Sequence, residues 1–141
     1  MSKLKEFMKK HGLKNKATSG KKLLEVANKL GLKDFNIYIR TEPLTSNQGI
    51  INLTDNYKKG THFVAFKDNF YFDSFSVQPP SIIANQLAER SPNNFCECYI
   101  SNNSIQKIDE YNCGSYCLYF LYLMNQGFSF HKSVISIIND R

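Results

Sequence analysis

The sequence predicts an α+β fold in which a central mixed β-sheet packs on one buried helix. Three observations carry it. Residues 61–75 read as a β-hairpin, residues 114–126 are nearly all apolar, and several flanking segments read as helices. The 141 residues suit one compact domain with a real core. Apolar residues make up 42% and charged residues 21%, a globular rather than a disordered composition. No apolar run reaches the roughly 18 residues of a membrane span. Met1–Lys5 has no apolar stretch behind it, so no secretory signal is expected.

Leu4–Leu13 reads as a short helix with lysines outward, followed by a polar break at Lys14–Gly20. Thr18 or Ser19 caps a second helix, Lys21–Leu30, whose apolar stripe is Leu23, Leu24, Val26, Ala27 and Leu30, and Gly31 ends it. Phe35–Ile39 alternates like a strand, residues 44–49 read as loop, and Gly49–Leu53 is a short apolar piece. In the hairpin, strands 62–66 and 70–75 flank turn residues Lys67-Asp68-Asn69. Pro79-Pro80 ends it. Ser81–Arg90 reads as a helix, Phe95–Ile100 as a strand, and Asn102–Tyr111 as a polar loop around Ile105. The apolar helix runs from Gly114 to Gln126 and stops at Gly127. Ser129–Asp140 forms the last helix.

Charge divides the chain. The net charge is +6, yet residues 1–33 carry ten lysines against two glutamates and residues 34–141 carry eight basic against ten acidic residues. A basic helical segment, 1–33, thus precedes a near-neutral body, 34–141, within one domain. Such a segment suits a polyanion such as DNA, or it is simply a solvated lysine-rich face.

Cys113 stands directly before the buried helix. A thiol there meets unpaired backbone N–H groups and the positive end of the helix dipole, which stabilise the reactive thiolate. Gly114 beside it would let a substrate backbone come close. Gln106, seven residues upstream, is a candidate donor to the oxyanion of a tetrahedral intermediate. His62 opens the hairpin and Asp73 lies on the return strand. An even-numbered turn puts both on one face, where the carboxylate could orient the imidazole as a base; an odd one without a bulge separates them. Asp109 or an asparagine could orient the base instead. Cys117, one turn beyond Cys113, reads as core. His11 and His131 read as surface residues.

The runs Gly60-Thr61-His62-Phe63-Val64-Ala65-Phe66, Tyr71-Phe72-Asp73-Ser74-Phe75 and Gln106-x6-Cys113-Gly114-Ser115-Tyr116-Cys117-Leu118 resemble the adenovirus proteinase (adenain) and its relatives. Those relatives include SUMO-specific proteases and the maturation proteases of virophages and Polinton/Maverick elements. The order His, acid, Gln, Cys is that of the clan. The Phe35–Leu44 and Gly49–Leu53 segments and Pro79-Pro80 look most like the virophage/Polinton branch, and the resemblance covers roughly residues 31–127. It implies a papain-like, adenain-like cysteine protease fold. Cys113 would be nucleophile, His62 general base, Asp73 its orienting acid and Gln106 the oxyanion donor. Phe63 stands where the family usually has tryptophan, which implies that an aromatic wall is kept.

The resemblance further implies cleavage after Gly-Gly or Gly-X-Gly sites in viral capsid or core precursors, in the virion, the host cytoplasm or a viral factory. The chemistry itself needs no cofactor and no metal. The resemblance implies activation by DNA, here through the basic segment, or by a viral peptide bonded near Cys96 or Cys98. Other readings stay open: a deconjugating protease for a ubiquitin-like modifier, a non-catalytic virion structural or binding protein, and a zinc module built from Cys96-x-Cys98 and Cys113-x3-Cys117.

Overall fold

Serine hydroxyls start the first two helices. In the computed structural model, which describes residues 2–16, 18–54, 62–101, 104–106 and 112–140, Ser2 Oγ accepts from the Lys5 N–H and Ser19 Oγ from the Lys22 N–H, each at 3.1 Å. They cap α1 (Lys3–Lys10) and α2 (Gly20–Lys29). A carboxylate from the other end of the chain adds to the first cap, because Asp140 accepts from the N–H groups of Lys3 and Leu4. Gly12 and Gly31, at φ +66° and +73°, follow the two helices in the left-handed conformation that ends them. Helix α1 therefore stops at Lys10, short of the expected Leu13, although Leu13 is still buried.

The chain is α+β, with a five-stranded mixed sheet. Strands β1 (Phe35–Ile39), β2 (Gln48–Asn52), β3 (Phe63–Lys67), β4 (Phe70–Phe72) and β5 (Glu97–Cys98) lie in that spatial order. The outer pairs β1–β2 and β4–β5 are parallel, and β2–β3 and β3–β4 are antiparallel. Helix α3 (Ser81–Ala88) lies in the crossover from β4 to β5. Strict alternation on β3 and β4 separates two cores. Phe63, Ala65 and Phe72 face a large cluster filled by α1, α2, α4 (Cys113–Asn125) and α5 (Phe130–Asp140); Val64, Phe66 and Tyr71 face a smaller one closed by Ile83 and Leu87 of α3. The first and last turns of the chain thus help bury the central helix. Every α4 residue from Cys113 to Leu121 is buried, as its all-round apolarity predicts. No helix among the described residues is long and apolar enough to cross a membrane.

Two expected strands are shorter than predicted, for local reasons. β4 ends at Phe72 because the Asp73 carboxylate takes the Phe75 N–H at 2.8 Å and its carbonyl takes the Ser76 N–H at 2.8 Å, with Ser76 at φ +59°. Of Phe95–Ile100 only Glu97–Cys98 pairs. The Phe95 carbonyl is held by the Asn69 side chain and the Ser101 N–H by the Ser76 carbonyl, leaving Phe95 and Ile100 exposed. Leu24 also leaves the expected stripe of α2 and is 39% exposed.

Candidate active site

The β3–β4 hairpin decides where His62 and Asp73 point. Lys67 belongs to β3 and pairs with Phe70, so the turn holds only Asp68 and Asn69 and not the three residues Lys67-Asp68-Asn69 expected from the sequence. That even number brings His62 and Asp73 to one face. Register continues to His62, whose carbonyl accepts from Leu53 N–H at 2.8 Å while its own N–H donates to Thr54 Oγ1 at 2.7 Å. His62 Nε2 then lies 3.1 Å from Asp73 Oδ1. The same oxygen accepts from Phe75 N–H, so the carboxylate is fixed before it meets the imidazole.

Cys113 reaches this pair from the first turn of α4. The Phe63 N–H donates to its Sγ at 3.3 Å, and Cys113 acts with Asp73 to raise the His62 pKa. With Nε2 turned to the carboxylate, Nδ1 is the ring nitrogen left for sulfur. Burial pulls the imidazole pKa down. Hydrogen bonds to Asp73 and Cys113 and their negative charge outweigh it and raise His62 to about 9. A protonated imidazole between a carboxylate and a sulfur can hold a thiolate, and can later release its proton to a leaving group.

Gln106 is fully buried beside Ser74, the neighbour of Asp73. Ser74 Oγ donates to Gln106 Oε1 at 2.6 Å, and the Gln106 N–H donates to the Ser74 carbonyl at 2.8 Å. The hydroxyl fixes which end of the amide carries the acceptor. Asp109, the alternative orienting acid, lies outside the described residues, as do most positions of the 102–111 loop.

Two readings of neighbouring residues change. The constraint on Gly114 is internal: a Cβ there would meet Leu23 Cδ2 at 2.9 Å and Phe63 Cδ2 at 3.4 Å, so glycine is needed where α4 packs on α2 and β3. Phe63 is buried in the main core, and the ring beside the imidazole belongs to Phe75, centroid to centroid 5.1 Å. Neither Phe75 nor Ser74 was singled out from the sequence. Their only signal was adjacency to Asp73.

The other cysteines differ in character. Cys117 is wholly buried in α4, and burial first, then Cys113 and Asp73, push its thiol well up. Burial and the neighbouring Cys98 raise Cys96 to about 11; burial and Glu97 raise Cys98. Cys96 and Cys98 pack against the α3-side core while Cys113 and Cys117 belong to the other, so the sheet divides the four-cysteine set that a zinc module needs. Among the described residues no three His, Cys, Asp or Glu side chains gather to hold a metal ion. His131 is exposed, and His11 is partly buried against Phe7. No family model matches the chain, and no curated protein matches it.

Proposed function

We propose that this protein is a cysteine endopeptidase with an adenain-like, papain-like arrangement of its catalytic groups. The observation that carries the reading is the imidazole of His62, hydrogen-bonded to buried Asp73 at 3.1 Å and next in chain to Phe63, whose N–H holds the Cys113 sulfur at the first turn of a buried helix. The Cys113 thiolate attacks a peptide carbonyl, forming a C–S bond. The backbone N–H of Cys113 and the amide of Gln106 stabilise the oxyanion. His62, oriented by Asp73, gives its proton to the leaving amine as the C–N bond breaks, then takes one from the water that releases the acyl group. The sequence resemblance supports substrates with Gly-Gly or Gly-X-Gly sites and a role in processing viral capsid or core precursors.

The test is cleavage of a glycine-containing peptide panel by the wild type and by Cys113→Ala, with an electrophilic Gly-Gly peptide as a second probe of the thiol. Turnover in the wild type and none in Cys113→Ala is the expected result. No turnover together with no labelling of Cys113 overturns the reading and leaves a binding or structural role.

A further inference from the structure

The residue before the thiol sets where α4 begins. The Asn112 carbonyl accepts from the N–H groups of Ser115 at 2.9 Å and Tyr116 at 3.1 Å, which closes the first turn around Cys113. With φ −108° and ψ 34°, Asn112 turns the chain into the helix. An asparagine at this position ordinarily places its side-chain oxygen on an N–H of the first turn. Asn112 does not, and no side chain caps α4. The residue is 4% exposed, and its Oδ1 is buried with no hydrogen-bond partner among the described residues. A buried amide oxygen without a partner is unfavourable, so its orientation needs a group that holds it.

That group comes from the other end of the chain. Asn112 Nδ2 donates to Met8 Sδ at 3.5 Å. Met8 is 8% exposed, and its carbonyl takes the His11 N–H at 3.2 Å and the Leu13 N–H at 2.8 Å. Its helix is fastened on both sides of it. Asp140 accepts from the N–H groups of Lys3 and Leu4, and Phe7 packs on Tyr119 and Tyr122 of α4 with centroids 5.1 and 5.4 Å apart. The sulfur is therefore a fixed acceptor, and the amide turns toward it rather than the reverse.

We propose that Met8 is a positioning residue for Cys113: its sulfur draws the Asn112 amide off the N-terminus of α4 and keeps that helix end open to the thiol. A capping oxygen from Asn112 would occupy first-turn N–H groups and offset the positive end of the helix beside the sulfur. Both effects would disfavour the thiolate. Helix α1 is thereby part of the site, through one thioether and one amide. The consequence for turnover rests on the peptidase reading; the consequence for the thiol does not.

The rate of Cys113 alkylation by iodoacetamide at neutral pH tests it in the full chain, read by mass mapping, with urea midpoints measured beside it. Met8→Leu conserves volume and removes the acceptor. Met8→Gln keeps the reach and brings an amide that can accept from Asn112 Nδ2 and donate to its Oδ1. Met8→Leu should hold its urea midpoint near that of the wild type yet slow alkylation about 2- to 5-fold, the worth of a charge interaction at a helix end. Met8→Gln should recover most of the rate even as its midpoint falls. A merely structural Met8 gives the reverse order, with the leucine variant like the wild type and the glutamine variant slower. Adding Asn112→Ala to Met8→Leu removes the oxygen that would cap and should also restore the rate, which decides the matter even where Met8→Gln fails to fold. A wild-type rate in Met8→Leu, or a slow rate that the added Asn112→Ala does not restore, overturns the proposal. The expected pattern without any peptide turnover by the wild type supports it and counts against the peptidase reading alone.

Discussion

His62 is where charge, burial and geometry meet. Its pKa lies above the ordinary value, so the folded state holds a proton that the unfolded chain releases earlier. The resulting stabilisation is fully present below about pH 6.5, the ordinary value, and is lost as pH rises through about 9. Urea midpoints of the wild type should therefore fall across that window relative to those of His62→Gln. Removing sulfur tests the other partner: in Cys113→Ala the His62 titration followed by NMR should move down, because one of the groups raising it is gone. Burial raises the other three thiols, and Cys113 alone faces an imidazole. Substoichiometric iodoacetamide at neutral pH should label Cys113 first by mass mapping. Labelling of Cys96 or Cys98 ahead of it would show that the imidazole does not activate the sulfur.

The central helix depends on one missing side chain. Gly114 lets α4 lie close to α2, and Leu23, whose methyls a Cβ would strike, has no exposed surface into which to move. Gly114→Ala should lower unfolding free energy by about 1–3 kcal/mol through overpacking. The double variant with Leu23→Val should lose less than the sum of the two single losses, a coupling read from denaturant melts. The same shift would move Cys113 relative to Phe63 and His62, so thiol reactivity should change with stability. The sheet's first edge is also managed by nearby side chains. Asn36 Oδ1 takes the Ile37 N–H and Glu42 Oε1 the Ile39 N–H, leaving two fewer open donors on β1 for a foreign strand.

Across the molecule, one cation joins three separated pieces. Arg90, just beyond α3, donates to the carbonyls of Leu44, Asn47 and Asp68 at 2.8, 3.2 and 3.5 Å, and its guanidinium lies 5.3 Å from the Phe66 ring. It thereby pins the β1–β2 loop to the turn of the hairpin that carries His62 and Asp73. Arg90→Ala should lower global stability by about 2 kcal/mol, and Arg90→Lys should recover only part of it, because an ammonium lacks the planar fork. Calorimetric melts check both. The sequence by itself determined the α+β class, the helix stops at Gly31 and Gly127, the buried helix after Cys113 and the hairpin that carries His62 and Asp73, but not that the two share a face, which the two-residue turn of the structure decided. These follow from local chemistry and short-range periodicity. Only the tertiary structure decided which ring lies beside the imidazole, why Gly114 is glycine, that Ser74 holds Gln106, and that the sheet stands between the two cysteine pairs. Each of those is set by chain segments far apart in sequence, brought together by burial of apolar surface, which fixes distances that residue spacing does not encode.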